Sequence, residues 1–67
     1  MNKRQKQIYD YIKKFIADNH YSPSIREITD GVGLKSSSTV HGHLDRMREK
    51  GYITFIDTCS RTLQIIE

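Results

Sequence analysis

Residues 34–51, LKSSSTVHGHLDRMREKG, carry the reading on which the fold turns. Val40, Leu44 and Met47 recur at four and then three residues, so they share one apolar helical face. Ser36 is placed to cap that helix, its hydroxyl accepting from a free amide of the first turn. Gly51 supplies the left-handed residue that stops it, and Lys50 just before it suits the negative end of the helix dipole. The predicted helix therefore runs over about 37–50. On its opposite side lie Ser38, Thr39 and Gly42, with His41 at the flank and Asp45 and Arg46 one turn on. This outer patch is small, polar and nearly free of bulk, as a surface that enters a DNA major groove must be. Gly42 costs about 1 kcal/mol against alanine in a helix interior. Two readings of it stand open: a base edge or phosphate approaches the backbone there, or a neighbouring segment crowds it.

Working back along the chain, Ser24 and Glu27 form an S-x-x-E capping box that opens a helix over about 25–32. Its inward residues are Ile25, Ile28 and Val32. Gly33 can take the positive φ that ends it, and Leu34 plugs the turn from the apolar side. A short helix, a glycine turn and a second helix with a polar outer face make a helix-turn-helix. Before it, Tyr21-Ser22-Pro23-Ser24 is a stop-and-restart signal, because Pro23 disfavours helix at Ser22. Asn2 and Gln5 make another capping box, opening a helix over about 3–19 with Ile8, Ile12, Phe15 and Ile16 inward and Tyr11 beside them. Lys6, Lys13 and Lys14 lie on its far side, as a solvated face or as phosphate contacts.

After Gly51 the period changes. Tyr52 to Ile56 and Thr62 to Ile66 are β-rich, separated by the polar loop Asp57 to Arg61. Ile53, Phe55, Leu63 and Ile65 are expected to face inward. An isolated hairpin is marginal in water, so it must pack on the helices. The expected fold is α+β, mainly α: a winged helix-turn-helix of three helices followed by a two-stranded antiparallel β-hairpin wing over about 52–66, with 1–67 as one domain. Arg61, near the hairpin tip, reads either as a contact to a phosphate or the minor groove or as a solvated loop residue.

The totals agree with a recognition module. A chain of 67 residues buries only about 60% of its unfolded surface, which excludes most deep catalytic clefts. The net charge of +3 mildly favours an acidic polymer as partner. The single cysteine, Cys59, cannot form an internal disulfide, which fits a reducing cytoplasm, and reads as an inert exposed thiol more readily than as a redox sensor. No run reaches transmembrane length and no signal-peptide core is visible, so no membrane partner is expected. His41 and His43 are two apart on a helix and point in different directions, so no metal site is expected. Ser36-Ser37-Ser38 has no general base beside it in sequence, so no catalytic residue and no cofactor are expected.

RQKQIYDYIKKFI, YSPSIREITDGVGLKS and SSSTVHGHLDRMREKGYI together resemble the N-terminal DNA-binding domain of the LexA repressor family, the regulators of the bacterial DNA-damage (SOS) response. SSSTVHGHL is especially similar to the Gram-positive version. The resemblance covers nearly the whole chain and implies a winged helix that binds double-stranded DNA and represses transcription in the bacterial cytoplasm, at the nucleoid. It implies base contacts from Ser36, Ser38, Thr39, His41 and Gly42, and a palindromic operator with GAAC-type half-sites. Arg46 and Arg61 join these as candidate DNA contacts from their places in the patch and the wing. A LexA repressor continues into a dimerising domain that cleaves itself with a Ser-Lys dyad. That domain has no counterpart in this sequence, so no catalysis is expected of the chain, whether it is an excised domain or a short regulator. Two copies are expected on the palindrome and a monomer when free. The competing expectation is a protein-interaction module that acts through another repressor.

Overall fold

A computed structural model describes residues 1–66. The element order is α1 (Lys3–Asn19), α2 (Ile25–Gly31), α3 (Ser37–Glu49), β1 (Ile53–Thr54) and β2 (Gln64–Ile65). The two strands are antiparallel, with Ile53 opposite Ile65 and Thr54 opposite Gln64. This is a winged helix-turn-helix, as the sequence predicts; Glu67, included in the expected domain, lies outside the described residues.

Local chemistry sets the helix limits. Both expected capping boxes form: the Asn2 side chain accepts from the Gln5 amide and the Ser24 side chain from the Glu27 amide, each reciprocated by the Gln5 or Glu27 side chain. Gly33 (φ 75°) ends the turn after α2 and Gly51 (φ 83°) the turn after α3. In each case the two following amides fold back: Gly33 to Asp30 and Leu34 to Thr29, then Gly51 to Arg48 and Tyr52 to Met47. These paired bonds satisfy carbonyls that a helix end otherwise leaves free. Helix α1 ends differently, with His20 in the left-handed region at φ 65°.

The core is one cluster in which Ile8 and Ile12 of α1, Ile28 of α2, Val40, Leu44 and Met47 of α3, and Ile53 of β1 are fully buried. Tyr11, which packs against this cluster, lies where a Cβ on Gly31 would go. Burial raises the Tyr11 phenol above its ordinary pKa, and the charges of Glu27 and Asp30 add to the rise. Among the described residues no helix is long and apolar enough to cross a membrane.

The wing is shorter than expected, two residues per strand rather than five. The inward residues are as predicted, with Ile53 and Leu63 buried and Phe55 and Ile65 half-buried. The ladder stops because a nearby side chain captures its next amide. The Thr62 hydroxyl accepts from the Ile56 amide at 2.8 Å. The Leu63 amide, which in this register points away from β1, donates to the buried Ser22 hydroxyl at 3.0 Å, across 41 positions of sequence. The Thr62 bond competes directly with β pairing, whereas the Ser22 bond ties the wing to the helices.

Candidate nucleic-acid interface

Helix α3 is held from behind by Val40, Leu44 and Met47, which fixes the direction of its other side. Ser36, Ser37, Ser38, Thr39, Gly42 and Arg46 are all exposed. Ser36 sits at the cap position with an extended backbone, but its side chain makes no cap hydrogen bond. Its expected capping role is thus corrected: the backbone turns there, and the hydroxyl does not take up a first-turn amide. A Cβ added at Gly42 would meet nothing within 4 Å. Crowding by a neighbouring segment therefore does not explain that glycine.

The flank of the patch is built. His41 Nδ1 lies 3.2 Å from Asp45 Oδ2, one turn on. The His41 ring meets Phe55 of the wing edge-on, with centroids 6.0 Å apart and planes at 81°. Between helix and wing sits Arg48. It donates to Asp45 Oδ1 at 3.1 Å and to the Phe55 carbonyl at 3.2 Å, pairs with Asp57 at 3.0 Å, and lies 4.0 Å above the Phe55 ring. Sequence reasoning missed this residue. Its i,i+3 spacing from Asp45 was visible, but the partners Phe55 and Asp57 come from across the turn. Ligating atoms of His41, Asp45 and Asp57 fall within 4.8 Å of one another; Arg48 neutralises both carboxylates.

His43 packs at the core edge, half-buried, with its Nδ1 fully enclosed and lacking a hydrogen-bond partner among the described residues. Lys6 and Lys14 are engaged with Asp10 and Asp18 along exposed helix surface, an arrangement that contributes little to stability.

Arg61 does not extend outward as a free loop cation. At φ 59° it folds back, pairing with Glu27 Oε1 at 2.8 Å, donating to the Ser22 carbonyl at 3.1 Å and lying 5.1 Å over the Tyr21 ring. Its place is the joint between wing and helices, because three acceptors or π faces converge there. Glu27 is correspondingly held below the usual carboxylate range, first by the Ser24 amide; burial opposes this, and Arg61 and the Ser24 hydroxyl lower it further.

The α2–turn–α3 unit thus presents a hydroxyl-rich, unobstructed helix end, and a family model described as the LexA DNA binding domain matches residues 1–62. The chain belongs to the LexA DNA-binding domain family. LexA repressors of Staphylococcus epidermidis, Staphylococcus haemolyticus and Staphylococcus aureus are 56%, 54% and 53% identical to it over 66 residues. Each match covers 98% of this chain and 32% of the relative. The chain therefore spans about a third of the length of these LexA repressors, and the shared region is the DNA-binding domain.

Proposed function

We propose that this chain is the operator-reading part of a LexA-type transcriptional repressor of the DNA-damage response, acting on double-stranded DNA at the nucleoid. The N-terminal half of α3 enters the major groove. Ser36, Ser38, Thr39 and His41 meet base edges, Gly42 admits the duplex close to the backbone, and Arg46 adds a cation beside them. Two copies occupy a palindrome with GAAC-type half-sites, one per half-site. Arg61 braces the wing through Nη1, and its half-exposed guanidinium has further donors with which to meet a phosphate beside the groove.

The observation that carries this reading is the open space at Gly42 within an exposed run of hydroxyl side chains. Hydroxyls donate or accept at several base edges, so they position the helix without alone fixing the base. The test is a gel shift with a GAAC palindrome and a scrambled duplex at two salt concentrations. The chain is expected to retain the palindrome selectively. Thr39→Ala is expected to weaken that selective binding by roughly 1 kcal/mol with scrambled-duplex binding unchanged. Equal loss on both duplexes would remove Thr39 from base reading, and no shift at any salt would favour a protein partner for this face.

A further inference from the structure

We infer that Asp45 and Arg48 set His41 as a hydrogen-bond acceptor toward the duplex, so that it selects a base carrying an exocyclic amino group, adenine or cytosine. The inference rests on the reading of α3 as the groove-entering helix. A neutral imidazole carries one N–H and one lone pair, and the contact made by one nitrogen decides the role left to the other. His41 Nδ1 lies 3.2 Å from Asp45 Oδ2. At that distance a carboxylate oxygen repels a lone pair and attracts an N–H, so in the neutral ring the favoured tautomer carries its proton on Nδ1 and its lone pair on Nε2.

The carboxylate is itself held. Its other oxygen accepts from Arg48 Nη2 at 3.1 Å. Arg48 is pinned from the wing by the Phe55 carbonyl and by Asp57, and its guanidinium covers the Phe55 ring. That ring meets the His41 ring edge-on. His41 is therefore gripped on two sides by groups that Arg48 orients. In the major groove the hydrogen-bond donors are the adenine N6 and cytosine N4 amino groups, whereas the guanine and thymine edges offer acceptors. His41 touches the base in this scheme; Asp45 and Arg48 are positioning residues.

The test combines spectroscopy with base analogues. Long-range proton–nitrogen NMR of the 67-residue chain, with the imidazole neutral, is expected to show His41 protonated on Nδ1. Affinities are then measured for duplexes in which each adenine of a half-site is replaced by purine and each cytosine by 2-pyrimidinone, deleting one amino group at a time. One position is expected to lose roughly three- to tenfold in affinity, and His41→Ala to be indifferent there. Asp45→Asn makes the sharper comparison. Arg48 retains the amide oxygen and leaves the amide N–H₂ facing Nδ1, so Nε2 takes the proton. The variant then donates to groove acceptors, and deleting the amino group at that position no longer costs it affinity. Arg48→Met keeps bulk over Phe55 but loses the forked donors, and is expected to abolish discrimination at that position alone. A wild-type His41 protonated on Nε2, or an Asp45→Asn variant that still loses affinity when that amino group is deleted, overturns the inference while DNA binding stands. Absence of any sequence-selective binding by the wild-type chain overturns the underlying reading of α3 instead.

Discussion

Gly31 and Gly42 are the same residue type in opposite surroundings. At Gly31 an added methyl would fall on the Tyr11 ring; at Gly42 it would enter open space. Gly31→Ala is therefore expected to destabilise the fold. Overpacking costs about 1–3 kcal/mol, offset by up to about 1 kcal/mol of improved helix propensity, for a net loss on the order of 1 kcal/mol. For a domain of this size that lowers the melting temperature by about 4–8 °C, and Tyr11→Leu in the same chain should recover much of it. Gly42→Ala is expected to do the reverse, stabilising by about 0.5–1 kcal/mol while weakening selective DNA binding. Thermal melts and gel shifts on the two variants check both halves; a Gly42→Ala variant that binds the operator as well as wild type would remove the close-approach explanation. A glycine kept at a stability cost on an unobstructed helix surface points to something outside the chain.

The elements were legible to different degrees, and the difference is physical. Helix limits followed from short-range chemistry: two capping boxes and two positive-φ glycines lie within a few residues of the ends they set. The alternation of inward residues in the wing was also legible. Its strand length was not, because the Thr62 hydroxyl takes the Ile56 amide from the ladder, and no local pattern links Leu63 to Ser22, 41 positions apart. The same holds for Arg61, whose partner Glu27 lies on α2, and for Arg48, whose wing contacts exist only once the chain has turned. In the candidate site, the exposed serines, Thr39 and Gly42 could be read from helical phase; the brace around His41 could not.

The Glu27 joint links two of these elements and makes their stability depend on acid. Its folded carboxyl is held below the ordinary range, so its contribution is fully present above the unfolded value and is lost as pH falls through the folded one. The urea midpoint is expected to fall as pH drops through and below the usual carboxylate range. In Glu27→Gln it should be lower near neutrality and fall less steeply in acid. Parallel pH profiles for the two proteins would show that Glu27 does not drive this dependence.

At the scale of the whole molecule, the formal charge is only +3, and long-range attraction to DNA rests on where the cations sit. Lys35 and Arg46 flank the exposed end of α3, both exposed and, among the described residues, without an acidic partner within salt-bridge distance. Each phosphate a lysine neutralises adds about −0.9 to the slope of log affinity against log salt. Lys35→Ala is expected to make that slope shallower by about 1 and to weaken binding evenly across sequences. A change confined to the operator duplex would reassign Lys35 to base reading.

The bond from the Leu63 amide to Ser22 fastens the return limb of the wing to the bend between the first two helices. A growing polypeptide leaving the ribosome has all three helices in hand well before it has that fastening, since domains complete as units once their last contacts are available. The N-terminal half of α3, whose flank leans on Phe55, thus acquires its final shape only after the twelve residues from Tyr52 to Leu63 have followed Gly51. Nascent chains shorter than that would carry the letters of the proposed DNA-reading surface without yet holding them in register.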